Sequence, residues 1–204
     1  MNQPFILPQR QYDSEAKRVF VNLVRGKGEH AVCFDASYDV NGLHETPEKW
    51  TVLSDGIRVM LNYLLVTKQN IFLLTEPNWF IIEVGHQLLK LREQYPLKLY
   101  VVCRSCQPFT YHYKQAAEPL REAYIDLCGQ ADCAFGINKA SLVNSYYGEL
   151  LAKRSKVLVC CYYKKRSATN NAVMRFASYY GNEIFQLFAD KGETYELSGT
   201  ADKK

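Results

Sequence analysis

The chain has 204 residues, 48% of them hydrophobic and 23% charged, with a net charge of +4. That length supports a buried core without disulfides or metal to staple it, and the balanced composition excludes bulk disorder. The charge is too mild for the steep basic stripe of a dedicated nucleic-acid domain, and no run of about 18 apolar residues exists to span a bilayer, so neither nucleic acid nor membrane is an expected partner.

Residues 1–12 carry Pro4 and Pro8 and read as an N-terminal arm. Met1 to Arg10 has no apolar h-region, which leads to an expected cytoplasmic location with reduced thiols. Among the seven cysteines, Cys33, Cys160 and Cys161 lie in apolar runs and read as small buried hydrophobes. Asp13-Ser14 can cap a short helix toward Arg25, with Val19, Leu23 and Val24 as its stripe; a strand is the alternative there. Ala31-Val32-Cys33-Phe34 reads as the first core strand, ending at Asp35-Ala36-Ser37, and Asn41-Gly42 signals a turn in the polar loop beyond.

Thr46 as N-cap and Pro47 at the first helical position open a helix whose apolar face is Leu53, Ile57, Leu61, Leu64 and Leu65. Ile71 to Leu74 is a second strand, closed by Thr75-Glu76-Pro77-Asn78; Ile81, Val84, Leu88 and Leu91 then share one helical face. Leu97 to Val102 is the third strand, Glu118 to Cys128 a helix, and Cys133 to Ile137 the fourth strand. A helix from about Ser141 to Lys153 leads into the most apolar strand, Val157 to Tyr162. Asn170 to Tyr180 is the last helix, stopped by Gly181 before a strand at 184–188, and residues 190–204 form a polar tail expected to fray.

Continuous apolar strands alternating with helices imply a single α/β domain over residues 13–189. Its expected form is a Rossmann-like, doubly wound, mostly parallel sheet with helices on both faces. Ligands on such sheets lie outside the carboxyl ends of the strands, near the switch point, which puts Asp35 and Ser37 at the lip. Trp79 at the same lip could stack a base or a sugar, or simply lid the core. The 15 tyrosines suit half-buried rings with the hydroxyl facing outward, or a homo-oligomer surface.

Several side-chain constellations could carry chemistry. Cys103-Arg104-Ser105-Cys106 has the spacing of a redox pair or half a zinc site, but no second pair completes a metal site, and ordinary reduced cysteines are the commoner reading. Glu76 and Glu83 sit about two helical turns apart and would make an acid–base pair if both faced a cleft; exposed glutamates at a helix start are commoner. The basic runs Lys153-Arg154 and Lys164-Lys165-Arg166 suit solvated loops. His30, His44 and His86 read as structural or surface residues, and no Ser-His-Asp order or phosphate-loop string is present.

Beyond this pattern, Leu97-Lys98-Leu99-Tyr100-Val101-Val102 followed by Pro108, Tyr124 with Ala131-Asp132, and Lys156 to Tyr162 followed by Ser167-Ala168-Thr169-Asn170-Asn171-Ala172 and Ala177-to-Gly181 resemble the SLOG superfamily of Rossmann-like domains, in its YpsA-like branch. The resemblance covers roughly Ala31 to Phe188 and extends distantly to the DprA and lysine-decarboxylase-like (LOG) groups. It departs from the family where a Gly-His-Arg-like string would follow strand one, here Asp35-Ala36-Ser37-Tyr38, and where a Gly-Gly-Thr loop would follow strand five, of which only Thr169 remains. The Pro-Gly-Gly-x-Gly-Thr string of the LOG nucleotide hydrolases is absent. The resemblance therefore implies a nucleotide or nucleotide-derived ligand over Asp35, Ser37, Thr75, Glu76, Asn78, Trp79, Arg166, Ser167, Thr169 and Asn171, without strong catalysis and without a cofactor. The alternatives are a divergent nucleotide or nucleoside hydrolase using Glu76 or Glu83, and an interaction module whose ligand site has decayed.

Overall fold

The computed structural model describes residues 5–7, 31–111, 113–137, 143–162, 171–187 and 194–197. Seven strands form one sheet: β1 (Ala31–Ala36), β2 (Ile71–Leu74), β3 (Lys98–Cys103), β4 (Cys133–Gly136), β5 (Val157–Cys161), β6 (Glu183–Leu187) and β7 (Thr194–Leu197), in spatial order β4-β3-β2-β1-β5-β6-β7. Six are parallel, and only β7 runs antiparallel, against β6. Phe34 in β1 is in register with Leu74 on one side and Val159 on the other. The chain builds outward from β1 through β4, then returns to β1's free side with β5. The switch point therefore falls between β1 and β5, where a doubly wound sheet opens a crevice.

The helices are α1 (Pro47–Val66), α2 (Trp79–Leu91), the single turn α3 (Pro108–Tyr111), α4 (Glu118–Gln130), α5 (Val143–Arg154) and α6 (Ala172–Tyr180), with a 3-10 helix at Tyr38–Leu43. Successive strand residues point to opposite faces, so each buried strand feeds two cores. In β1, Val32 and Phe34 join Ile57, Leu61, Phe80, Val84 and Leu127 from α1, α2 and α4. Cys33 faces the other way, onto Tyr147, Leu151, Val173 and Ala177 of α5 and α6. The α/β sheet with helices on both faces is thus as the apolar runs led one to expect. No helix among the described residues is long and apolar enough to cross a membrane.

Local chemistry sets the helix ends near the strand tips. Asn78 caps α2 by accepting the Ile81 N–H at 2.9 Å, and Asn171 caps α6 by accepting from Val173 at 2.7 Å. Gly181, at φ 72°, closes α6 in the left-handed region that a side chain would resist. Gly148 lets α5 approach α6: a Cβ there would lie 2.7 Å from the carbonyl carbon of Ala172, the first residue of α6. Gly148→Ala should therefore destabilise by about 1 kcal/mol in urea denaturation, because overpacking against backbone costs about 1–3 kcal/mol and outweighs about 1 kcal/mol of helix propensity. A variant as stable as the wild type would show that the two helices separate freely.

Four expectations need correction. The tail expected to fray contributes β7, whose residues 194–197 (Thr-Tyr-Glu-Leu) alternate polar and apolar as an edge strand does. The arm is not wholly separate: Leu7 is buried, its N–H donates to the Cys106 carbonyl at 2.8 Å, and Phe5 packs on Phe109. The polar loop with the Asn41-Gly42 turn is a 3-10 helix that buries Val40 and Leu43. The single turn α3 appears where no element was expected. The helix expected over 13–25 lies outside the described residues.

Candidate functional site

Asp35 is the last fully buried residue of β1, one step from the switch point. Three donors converge on its carboxylate. Thr75 Oγ1, just past β2, donates to Oδ1 at 3.0 Å; Tyr162 OH, just past β5, and Asn171 Nδ2, at the cap of α6, each donate to Oδ2 at 2.7 Å. One side chain thus ties three strand ends and a helix start together. Burial pushes its pKa up, while the three hydrogen bonds and the charge of Arg104 pull the other way without overcoming it. Through these three bonds Asp35 holds the strand ends of the crevice together.

Glu76 is the second buried acid. The expected exposed loop residue is 3% exposed. Its Oε1 accepts the Arg104 backbone N–H at 2.7 Å and lies 3.4 Å from the Arg104 guanidinium. Its Oε2 is buried with no hydrogen-bond partner among the described residues. Burial again holds the pKa up, opposed chiefly by Arg104 and aided by the charge of Asp35. Arg104, immediately after β3, also lies over the Tyr147 ring at 5.4 Å, and its own pKa rises because Glu76 and its neighbours outweigh the cost of burial.

Three buried tyrosines complete the strand ends. Tyr124 OH donates to the Thr75 carbonyl at 2.7 Å, Tyr147 OH to the Val102 carbonyl at 2.8 Å, and Tyr162 OH to Asp35. Their hydroxyls point inward, contrary to the expected outward tilt, because strand-end carbonyls and a carboxylate need donors there. Tyr113 joins the same cluster; burial and the charge of Glu76 push its pKa up.

The other expected residues fall around this cluster. Asn78 is spent on capping α2 and on donating to the Glu76 carbonyl at 3.1 Å. Ser37, just past β1, has its hydroxyl buried and without a partner among the described residues. Trp79 donates its backbone N–H to Asn41 Oδ1 at 2.8 Å, and its ring stacks on His44 at 4.0 Å, with Trp50 edge-on to His44. His44, set aside on sequence, thus belongs to an aromatic cluster at the lip. Arg166, Ser167 and Thr169 lie outside the described residues.

The acid–base pairing of Glu76 with Glu83 does not form. Glu83 Oε1 accepts from Ser54 at 2.6 Å and from Gln87 at 2.7 Å, between α1 and α2, and shares no partner with Glu76. The register of α2 turns Glu83 toward its neighbouring helix. Cys103 and Cys106 are not joined by a disulfide: the Cys103 thiol meets Tyr124 OH at 2.8 Å, burial raises both pKa values, and no metal-binding cluster exists among the described residues. Cys33, Cys103 and Cys160 should resist iodoacetamide in the native protein and react only on unfolding, as mass spectrometry would read; rapid native labelling of Cys103 would contradict its burial.

Sequence reasoning missed Arg104, Tyr113, Tyr124, Tyr147 and Tyr162. Arg104 and Tyr162 each follow a strand directly, so the strand-end rule that found Asp35 and Glu76 reaches them too. Nothing in the sequence marks Tyr124 and Tyr147, which arrive from helices. No family model matches the chain, and no curated protein matches it closely.

Proposed function

We propose that the chain is a SLOG-like, Rossmann-like domain that binds a nucleotide or nucleotide-derived small molecule at the carboxyl ends of β1, β2, β3 and β5, without strong catalysis. One observation carries the reading. Two buried carboxylates, Asp35 and Glu76, and Arg104 lie at the ends of β1, β2 and β3, and one oxygen of Glu76 has no partner among the described residues. A half-satisfied buried acid costs stability, and such groups concentrate where a ligand completes them.

A thermal-shift panel of nucleosides, nucleotides and cyclic dinucleotides tests it. A ligand that binds only the folded chain, at 100 times its dissociation constant, adds about 2.7 kcal/mol, or roughly 5–10 °C for a chain of this size. A hit weakened by Arg104→Ala supports the site. Silence across the panel favours the interaction module, and self-association should then be measured.

A second reading, hydrolysis of a nucleoside or nucleotide with Glu76 as general acid, is favoured by the raised pKa of that carboxyl. It leaves no role for Glu83. Under this reading Glu76→Gln abolishes turnover while retaining binding.

A further inference from the structure

Helix α1 buries one apolar face, Leu53, Ile57, Met60, Leu61 and Leu64, in the core. A second apolar stripe on the same helix stays exposed. Val52, Val59, Tyr63 and Val66 are 42%, 65%, 49% and 80% exposed, and Gly56 is half-buried among them. Positions 52, 56, 59, 63 and 66 follow a 4-3-4-3 spacing, which keeps side chains on one seam and is the pattern by which a helix receives a second helix. Single exposed apolar side chains are ordinary; a seam that runs most of the length of a helix is not. Its relief is uneven. Gly56 weakens the helix relative to alanine and leaves a hollow in the seam, whereas Tyr63 stands against Phe185 of β6, ring centroids 5.8 Å apart.

That relief and the flanking charges select the occupant. A parallel second copy sets Tyr63 against Tyr63, Gly56 against Gly56 and Asp55 beside Asp55. An antiparallel copy, related by a twofold axis across the middle of α1, sets Val52 opposite Tyr63 and Gly56 opposite Val59, and each pairing occurs twice. Large then meets small, and Val59 of each copy fills the hollow over Gly56 of the other. The charges agree with this orientation. Asp55 and Arg58 lie on one side of the seam, both exposed, and pair within the chain at 2.9 Å. The same twofold brings Asp55 of each copy toward Arg58 of the other, where a parallel pairing repeats like charges. Five positions on one helix cover less than the roughly 800 Å² per partner of a standard interface, so the pairing is reversible and depends on concentration.

We propose that the exposed seam of α1 is a self-association surface: two copies of the chain pair antiparallel through Val52, Gly56, Val59, Tyr63 and Val66, with Asp55 and Arg58 exchanging partners across the twofold. The surface lies on a helix flank away from the strand ends, so the proposal stands independently of the nucleotide-binding reading.

Sedimentation equilibrium of the full chain, from micromolar to hundreds of micromolar at low salt, tests it. The expected result is a monomer–dimer equilibrium. Val59→Glu places a charge at the centre of each seam and should weaken dimerisation about tenfold or more, while its melting in dilute solution stays near that of the wild type because the side chain is exposed in the monomer. Asp55→Arg and Arg58→Asp each set like charges across the twofold and should each weaken dimerisation; the double exchange Asp55→Arg with Arg58→Asp should recover it. A double exchange that pairs no better than either single one overturns the antiparallel arrangement and the proposal with it. So does a Val59→Glu chain that dimerises like the wild type. A wild-type chain that stays monomeric over the whole range overturns self-association and leaves the seam to a helix of a different protein.

Discussion

Asp35→Ala is expected to cost about 3–5 kcal/mol of folding stability, the range for removing one partner from a buried charged network. The substitution strips the acceptor from Thr75 Oγ1, Tyr162 OH and Asn171 Nδ2 together. Thr75 and Tyr162 are buried and cannot turn to water, so each is left with an unmade bond. At about 2–4 °C per kcal/mol for a chain of this length, the melting temperature should fall by roughly 10 °C. Asp35→Asn should cost far less. Its Oδ1 can still accept from Tyr162 and Asn171, while its Nδ2 donates to a Thr75 hydroxyl that is free to rotate. Equal losses for alanine and asparagine would mean that the charge of Asp35, and not its acceptor geometry, holds the strand ends.

Glu76→Gln is expected to do the opposite at neutral pH and raise stability by about 1–3 kcal/mol, because a neutral amide escapes the desolvation of a buried charge even though its NH2 finds no more partner than Oε2 does among the described residues. The pH dependence follows from linkage. Burial raises the Glu76 pKa above its unfolded value, so between the two values the folded chain holds more protons than the unfolded one. Stability in that window falls as pH rises. The contribution of Glu76 is fully present below its unfolded pKa, near the ordinary 4.5, and is lost as pH climbs through the folded value. Glutamine stays neutral throughout. The melting temperatures of wild type and variant should therefore nearly coincide at the acid end of the scale and separate toward neutrality, with the variant higher. Asp35 is raised in the same direction for the same first cause, and because its field acts on Glu76 the comparison reads the two acids together. A variant less stable than wild type at neutral pH would mean that the attraction between Arg104 and Glu76 outweighs burial. A gain in stability accompanied by lost ligand binding is the trade expected where an acid is kept for function.

The sequence by itself determined the order of elements, because period-two and period-3.6 apolar patterns, Pro47 at a helix start and Gly181 at a helix end are local signals. It also determined which ends of the strands face the crevice, and so located Asp35, Ser37, Thr75, Glu76 and Asn171 together. What it left undecided shares one cause. The donors that meet Asp35 include Tyr162 and Asn171, which lie 127 and 136 residues away and reach it only when β5 docks beside β1. Whether Glu83 reaches the crevice depends on how α2 turns against α1, where Ser54 waits for it. The tail became β7 because β6 offered an open edge, and the alternation of residues 194–197 is too short by itself to name that partner. Hydrophobic periodicity is written within each segment. The partner of a buried polar group is chosen among segments far apart in the chain, and only the tertiary structure decides which donor reaches which carboxylate, and which oxygen of Glu76 is left over.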